Sequence, residues 1–392
     1  MRPFTGAEAL VFWRDARVRG VLLQALFMLA VLLALFTILD NTLANLARRG
    51  ISTGFGFLSS EAGFGILQTL VDYSESSTFG RTFLVGLLNT LLVSALGIIL
   101  ATLLGFVIGV ARLSGNWLLA RLADAYIEIF RNIPLLLQIF FWYFAVLRAL
   151  PRPRDSLALG EAIFLNLRGL YLPKPLPESN FWLVGAALAV AIVVSGMLAR
   201  WARNRQIREG TPFPIVRASL AIILLLPLLT HFAAGAPMGW ELPVLKGFNF
   251  SGGITVIPEL MALLLALSIY TAAFIAEIVR SGIQAIPTGQ TEAAQALGLR
   301  QGAVLRLVII PQALRVIIPP LTNQYLNLIK NSSLATAIGY PDLVSVFAGT
   351  TLNQTGQAVE VIAITMAVYL LISLSVSLLM NWYNRKMALV ER

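Results

Sequence analysis

Eight long apolar stretches dominate this sequence and determine the solvent in which it can fold. They lie at about 20–39, 83–110, 133–150, 181–199, 216–233, 258–279, 312–332 and 359–382. Each approaches the roughly 20 residues that an α-helix needs to cross the hydrocarbon core of a bilayer. Only 12% of the residues are charged, which is too few to cover a surface that faces water. The sequence therefore predicts an all-α polytopic membrane protein with about eight transmembrane helices.

The first apolar stretch predicts a retained helix rather than a cleaved signal. Its run from Val21 to Leu39 exceeds the roughly 7–15 residues of a signal-peptide core, and no small-x-small pattern follows it. Pro134 in the third stretch and Pro227 in the fifth predict kinks, because proline cannot donate a backbone hydrogen bond.

The charge distribution predicts the orientation of these helices. The chain has 29 Lys and Arg residues against 19 Asp and Glu. An even number of spans places both ends on one side, and most of the Lys and Arg residues fall in the segments on that side. Cytoplasmic loops collect Lys and Arg, so both termini are predicted to be cytoplasmic. The basic character indicates topology rather than nucleic-acid binding.

The residue inventory excludes several kinds of chemistry. The chain has no cysteine and one histidine, His231, which removes thiolate nucleophiles, cysteine metal sites and multi-histidine sites. A P-loop would end in Lys followed by Ser or Thr. The residues that follow the four lysines are Pro175, Gly247, Asn331 and Met387. We therefore predict no catalytic residue, no metal site and no cofactor on this chain, with any ATP held by another subunit.

Composition divides the chain into two parts. Residues 1–80 comprise a cytoplasmic lead, in which Phe12 and Trp13 predict an interfacial foot, the first span and a polar external segment. Residues 81–385 form the main membrane domain. Within it, the fourth and fifth spans lie between Pro- and Gly-rich stretches, 151–180 and 234–257, that are predicted to be external loops.

The segment 281–311 is the longest cytoplasmic stretch without an apolar span. Thr288 can cap a helix, Gly298 can end it and Pro311 can stop the next one, which predicts short helices at about 290–297 and 301–310. The first presents alanines around Glu292, a small-residue surface that another backbone can approach closely. The residues alone leave two interpretations open: this surface docks a partner chain, or it lies along the protein's own spans.

A spaced motif in this segment resembles the cytoplasmic signature of ABC-importer membrane subunits. Glu292-Ala293-Ala294 is followed after three residues by Gly298, and after nine more by Val308-x-Ile310-Pro311. The signature has Ile and Leu where this chain has Val308 and Ile310. The resemblance implies that the ATPase-coupling residues are Glu292, Ala293, Ala294, Leu297, Gly298 and Pro311.

Three further stretches resemble the polar-amino-acid (histidine/glutamine-type) permeases. They cover 126–144, 273–290 and 311–334, within a five-span type I core at about 80–150 and 255–385. The extra first span, the segment 55–58 and an insertion at about 151–255 that carries two extra spans resemble the Q-type membrane subunit of general L-amino-acid importers. The resemblance implies the bacterial inner membrane, an amino-acid substrate, a second related permease subunit, an ATP-binding subunit dimer and a periplasmic amino-acid-binding protein.

The seventh span carries a polar stripe. Asn323, Asn327 and Lys330 recur at helical spacing, and Asn331, Ser332 and Ser333 follow. A charge at membrane depth costs roughly 2.5–3.5 kcal/mol, so it normally faces a cavity or a partner. One interpretation is a substrate path in which Lys330 attracts the substrate carboxylate; the other is a lysine that reaches the outer surface while the amides join helices. Family members often have an acid where this chain has Asn331.

Two charged pairs lie at the cytoplasmic ends of spans. Glu277 and Arg280, and likewise Glu128 and Arg131, are spaced i, i+3. They are either gate or hinge contacts between spans or simple helix-surface pairs, and the second interpretation is favoured.

The second span shows small residues at four-residue steps, which predicts close helix packing. They are Gly97, Ala101, Gly105 and Gly109. Asn89, Thr90 and Ser94 in the same span either touch the path or hold helices together.

Together these features predict the permease subunit of an ATP-driven amino-acid importer, working by alternating access, and not an enzyme. The alternative is a secondary transporter driven by an ion gradient. Such a transporter would need acids at mid-membrane, whereas Glu277 and Glu360 lie near span ends.

Overall fold

The structure, a computed structural model, describes residues 16–48, 50 and 53–387. The predicted interfacial foot with Phe12 and Trp13 lies outside the described residues. In chain order the helices are α1 (Ala16–Arg48), α2 (Phe79–Arg112), α3 (Trp117–Asn132), α4 (Leu135–Phe140), α5 (Trp182–Glu209), α6 (Ile215–Ala233), α7 (Pro258–Gln284), α8 (Thr288–Ala296), α9 (Gln301–Val304), α10 (Ile310–Asn331), α11 (Leu352–Thr355) and α12 (Ala358–Met387). Three π-helical segments, Phe141–Val146, Leu305–Ile309 and Val344–Thr351, connect some of them.

Seven helices in the described part are long and apolar enough to cross a membrane. They are α1, α2, α5, α6, α7, the continuous helix Gln301–Ile338 that contains α9 and α10, and α12. An eighth candidate span is α3 together with Leu135–Ala149, a helix pair broken between Asn132 and Leu135. This agrees with about eight predicted spans.

Pro134 produces a full break rather than the predicted kink. Its backbone is extended, with ψ of 134°, so α3 ends at Asn132 and α4 begins at Leu135. Proline disfavours helical geometry in the residue before it and lacks the N–H that a continuing helix would use. The helix α6, in contrast, continues through Pro227.

The chain divides into two compact units, Met1–Glu128 with Thr271–Arg392, and Ile129–Tyr270. In the second unit the two stretches predicted to be external loops form antiparallel sheets instead. The strands are β1 (Leu157–Leu159), β2 (Ile163–Asn166), β3 (Gly169–Leu172), β4 (Lys174–Pro177), β5 (Met238–Glu241), β6 (Val244–Lys246), β7 (Asn249–Ser251) and β8 (Ile254–Val256). One sheet has the order β1-β2-β3-β8, and β4 pairs with β5 and β6 with β7.

The sheets form because the two stretches pair with each other. Leu170 on β3 is opposite Val256 on β8, and Lys174 on β4 is opposite Glu241 on β5. The buried Tyr171 donates a hydrogen bond of 2.9 Å to the Asn249 side chain, which joins β3 to β7. Pairing over some 80 residues satisfies backbone groups that each stretch alone would leave to water.

The core of the first unit uses the small-residue stripe of α2, as predicted. Gly97, Ala101, Gly105 and Gly109 are all buried. A Cβ on Gly105 would lie 2.6 Å from the Cβ of Ile275 on α7. Glycine is therefore required for α2 and this part of α7 to approach so closely, which confirms the packing prediction.

Residues 53–78 of the same unit pack against the ends of helices. Phe57 is buried against Phe79 and Phe347, with ring centroids 6.3 Å away in both cases. The backbone N–H of Gly54 donates to the Oε1 of Glu360, at 2.7 Å. Aromatic burial and this charge-assisted hydrogen bond hold the segment in place.

Asn89 and Thr90 serve as connections between elements of this unit. The Asn89 amide donates to the carbonyl oxygens of Gln68 and Pro341, both at 2.9 Å. The Thr90 hydroxyl accepts a hydrogen bond from the Leu343 N–H at 3.0 Å. The Asn89 amide nitrogen and the Thr90 hydroxyl thus hold the backbone on either side of residue 342, so these two residues join elements together.

That backbone carries a fully buried acid, Asp342, between the span that ends at Ile338 and the span that begins at Ala358. Its Oδ1 accepts a hydrogen bond from the Ser345 N–H at 2.8 Å, which caps the helical segment that follows. Burial raises the pKa of the Asp342 carboxyl to about 7, although the hydrogen bond from Ser345 acts in the opposite direction.

We expect Asp342 to make the protein less stable as the pH rises from about 4 to about 7. The unfolded chain loses the Asp342 proton near pH 4, whereas the folded chain keeps it up to its pKa of about 7. Over this interval the free energy of unfolding should fall by roughly 1.4 kcal/mol per pH unit, or about 4 kcal/mol in all. Asp342→Asn keeps a capping side chain and should remove this slope. Fluorescence melting of the detergent-purified protein across this pH range measures it.

Asp72→Asn is the matched control, because Asp72 is an exposed acid in the same unit. Its slope should equal that of the unchanged protein. An Asp342→Asn variant with the same slope as the unchanged protein would contradict the assignment.

Candidate functional site

The helix α8 carries the first part of the spaced motif and begins at Thr288 rather than 290. Thr288 is the first helical residue and not the cap; the preceding Pro287 is extended and no side chain caps the helix. The helix ends at Ala296, two residues before Gly298, which adopts a left-handed φ of +77° and so terminates the helix as predicted. The N–H of Leu299 bonds to Ala294 O at 3.2 Å and that of Gly298 to Gln295 O at 2.8 Å. These two bonds form a Schellman motif, which glycine permits.

One face of α8 packs on the protein's own helices. Ala294 is only 3% exposed and lies in a hydrophobic cluster with Val304 and Ile309. Leu299, directly after the Schellman motif, packs against the same cluster. The helix is therefore held in a fixed position by the segments on either side of it.

The other face of α8 is open. Glu292, Ala293, Leu297 and Gly298 are not buried, and Leu297 has 82% of its surface accessible. A leucine this exposed at the tip of an anchored helix is a surface that another protein can bury. The two interpretations of the sequence thus apply to different faces: Ala294 anchors, and the residues around Leu297 are available to a partner.

The prediction that Pro311 stops a helix is wrong. The segments predicted as 301–310 and 312–332 form one continuous helix from Gln301 to Ile338. The π-helical turn Leu305–Ile309 ends two residues before Pro311 and widens the backbone there. A wider turn accommodates a residue that has no N–H and whose ring would otherwise clash with the preceding turn. Pro311 therefore lies where the segment 281–311 continues into the membrane helix without a break.

The predicted polar stripe lies on one side of α10. Asn323, Asn327 and Lys330 are exposed together. The opposite side of the helix carries Leu321 and Leu328, which are buried in the core of the first unit. The amide and ammonium groups of this stripe therefore point away from the core of the first unit. On a membrane helix such groups need a polar environment, which lipid does not supply.

The three residues after Lys330 use their side chains differently. Asn331 ends α10 and is half-buried. Ser332 is fully buried, and its hydroxyl donates to the Ile329 carbonyl oxygen at 2.7 Å. The Ser333 hydroxyl donates to the Lys330 carbonyl oxygen at 2.7 Å. Ser332 is thus a core residue, and only the three exposed residues form a continuous polar surface.

The predicted gate pair on α7 is an interaction within one helix. The Arg280 Nε donates to the Glu277 Oε2 at 2.9 Å, and a second guanidinium nitrogen bonds to the other carboxylate oxygen. Arg280 also bonds to Gln284, one turn further on. This geometry agrees with the helix-surface interpretation. The role of Glu128 and Arg131, both on α3, stays a prediction.

An ion pair between α2 and α3 was not predicted. Arg112, at the end of α2, forms an ion pair of 2.7 Å with Asp124 on α3. Arg121 lies 3.3 Å from the same carboxylate. This ion pair joins two consecutive helices across a short turn. Its only signal in the sequence is that Asp124 follows the turn and that Arg112 and Arg121 both precede Asp124 in the chain.

Comparison with known proteins identifies close relatives. Residues 210–389 match the family described as binding-protein-dependent transport system inner membrane component. The chain is 59% identical to the putative amino-acid ABC transporter permease protein YhdX of Escherichia coli (strain K12), over 96% of this chain and 95% of that protein. It is 54% identical to the general L-amino acid transport system permease protein AapQ of Rhizobium johnstonii, over 96% and 94%.

A third relative also spans the full length. The chain is 42% identical to the glutamate/glutamine/aspartate/asparagine transport system permease protein BztB of Rhodobacter capsulatus, over 100% of this chain and 98% of that protein. The first span and the inserted helix pair α5–α6 therefore fall within the matched length in each of the three comparisons.

Proposed function

This chain belongs to the binding-protein-dependent transport system inner membrane components and is an amino-acid ABC transporter permease. From that membership we propose a role in transport for each of its exposed surfaces. The chain is the permease subunit of an ATP-driven amino-acid importer rather than an ion-gradient-driven secondary transporter. In our proposal ATP is hydrolysed by a separate subunit dimer. A second, related permease subunit and an external amino-acid-binding protein complete the assembly.

The open face of α8 is the proposed contact with the ATPase. The observation that supports it is the 82% exposure of Leu297 on a helix whose other face is anchored through Ala294. A rigid anchor transmits displacement, since packed helices move as bodies rather than deform. Movement of the ATPase would therefore shift α8 and, through Pro311, the helix that carries the polar stripe.

The exposed stripe of α10 is the proposed lining of the substrate path. Asn323 and Asn327 offer amide donors and acceptors, and Lys330 offers a cation that matches the carboxylate shared by all amino acids. The relatives AapQ and BztB are named for L-amino acids and for glutamate, glutamine, aspartate and asparagine. We place the substrates of this chain among the L-amino acids.

The proposed location is the bacterial inner membrane, with both termini in the cytoplasm. This orientation puts α8 on the side where ATP is available. The distribution of Lys and Arg supports it.

Co-purification and vesicle uptake test the assembly. The tagged chain should carry an ATPase chain and a second membrane chain through purification in mild detergent. In proteoliposomes supplied with the binding protein, uptake should require ATP and fail with a non-hydrolysable analogue. Uptake that follows a sodium or proton gradient without ATP would contradict the proposal.

A further inference from the structure

The inserted helix pair α5–α6 extends beyond the bilayer at one end. Its helices pack on each other along a seam in which Ala191, Ser195 and Ala202 of α5 are buried. The 28 residues of α5 correspond to about 42 Å at 1.5 Å per residue, whereas the hydrocarbon core is only about 30 Å thick. Residues 182–199 carry no charge and the charged residues begin at Arg200, so the last two turns of α5 and the start of α6 lie at the level of the lipid headgroups.

This end of the pair concentrates positive charge. Within residues 182–217 the sequence has five arginines and a single acid, Glu209. Arg205 bonds to Glu209 at 2.8 Å and lies over the ring of Trp201. The other four arginines have no acidic partner within the described part of the chain. We call them the arginine patch: Arg200, Arg203, Arg208 and Arg217.

Apolar side chains lie between the arginines. Trp201 is 48% exposed, Ile207 76% and Val216 61%. Trp201 also packs edge-on against Phe213 in the loop between the helices, at 5.4 Å between ring centroids. Exposed tryptophan and aliphatic side chains interleaved with cations fit the boundary between headgroups and acyl chains. There the cations contact the headgroups and the apolar side chains contact the acyl chains.

We propose that the arginine patch binds the phosphate groups of anionic phospholipids. The planar guanidinium matches a phosphate with two parallel hydrogen bonds, and basic clusters next to a membrane helix recognise anionic headgroups. If these arginines only set the orientation of the helices in the membrane, their positive charge alone would be sufficient. The exposed Trp201, Ile207 and Val216 add the apolar contacts that a lipid, unlike free phosphate, can fill.

The test compares two triple variants of the full chain. One is Arg200→Gln with Arg203→Gln and Arg208→Gln. The matched control is Arg152→Gln with Arg154→Gln and Arg168→Gln, three arginines that line a cavity of about 370 Å³ in the sheet region of the same unit. Both remove the same charge from the same unit.

Mass spectrometry of the lipids that remain bound after detergent purification gives the first readout. The unchanged protein and the control should retain phosphatidylglycerol in preference to phosphatidylcholine. Three lost arginines, at roughly fivefold in affinity each, should reduce phosphatidylglycerol retention by about 100-fold. Equal retention by the patch variant, or an equal loss in the control, would overturn the proposal.

Two further measurements distinguish a bound lipid from a free anion and from a protein partner. Displacement of the lipid by inorganic phosphate at equal concentration would identify a free-anion site, and loss of a bound protein chain with lipid retained would identify a protein contact; either result overturns the proposal. Because the chain has no cysteine, Asn204→Cys labelled with an impermeant maleimide reports the orientation of each variant without background. If the triple variant inverts, Arg203→Gln alone carries the test, with a loss of about fivefold expected and an unchanged ratio contradicting it.

Discussion

Leu297→Asp is expected to abolish ATP-dependent uptake while the chain still inserts and folds. Leu297 makes almost no contact within its own chain, being 82% exposed, so its replacement removes little from the fold. In a docked complex, a buried leucine contributes about 1.5–3 kcal/mol, and a buried unpaired carboxylate costs several kcal/mol more. The sum corresponds to at least a 100-fold weaker contact with the ATPase. The ATPase chain that co-purifies with the variant measures this loss directly.

Leu67→Asp is the control for Leu297→Asp. Leu67 is 83% exposed, in the segment that packs near Phe57, so the same substitution is made at the same exposure in the same unit. This variant should keep its ATPase chain. Leu297→Met, which preserves an apolar tip, should retain most of the uptake. If Leu297→Asp purified with a full complement of ATPase, α8 would not be the docking element.

Gly298 gives a second view of the same surface. Its φ of +77° favours glycine, and an added Cβ would meet no atom within 4 Å in this chain. A substitution there therefore affects backbone conformation and the exposed surface but not internal packing. Glycine is therefore suited to this position as the end of the helix.

The sequence could predict those features of the fold that depend on local pattern. Apolar runs located the spans, because a bilayer requires about 20 apolar residues wherever the helix lies in the chain. The four-residue steps of Gly97 to Gly109 predicted a packing face, and Gly298 predicted a helix end, since in each case the residue type itself limits the geometry.

The features that the sequence did not predict depend on distant partners. β3 and β8 pair residues some 80 positions apart, and the Pro- and Gly-rich composition that suggested loops carries no information about such pairing. Asp342 lies in the core, where Asn89 and Thr90, some 250 residues earlier, hold the surrounding backbone. The prediction for Pro311 was wrong because a π-helical turn, which has no local sequence signature, removes the clash that normally ends a helix.

The candidate path shows the same division between local pattern and three-dimensional context. Periodicity grouped Asn323, Asn327 and Lys330 correctly on one exposed face. It could not separate Ser332, which follows directly in the sequence but turns into the core and bonds to Ile329. The number of side chains available to a substrate is therefore smaller than the polar run suggests, and the single charge among them becomes correspondingly more important.

Lys330→Met is expected to reduce uptake at low substrate concentration by about 10- to 100-fold. A charge-assisted hydrogen bond to the substrate carboxylate contributes about 1.5–3 kcal/mol, and each 1.4 kcal/mol corresponds to a factor of ten. Methionine preserves length and apolar contact, so the loss isolates the charge. Lys330→Arg should restore part of the rate. The measurement is initial uptake into proteoliposomes over a range of substrate concentrations, with the ATPase content of each preparation determined in parallel.

Lys246→Met distinguishes this role from a general effect of lost charge. Lys246 is also exposed, but it lies at the end of β6 in the sheet region and away from α10 in the sequence. It should leave uptake unchanged. A lysine that only reaches toward the membrane surface would also tolerate methionine, because the apolar stem would remain in lipid and nothing would lose a partner. Unchanged kinetics in Lys330→Met at normal ATPase content would therefore assign Lys330 to the surface and leave Asn323 and Asn327 as the polar groups of the path.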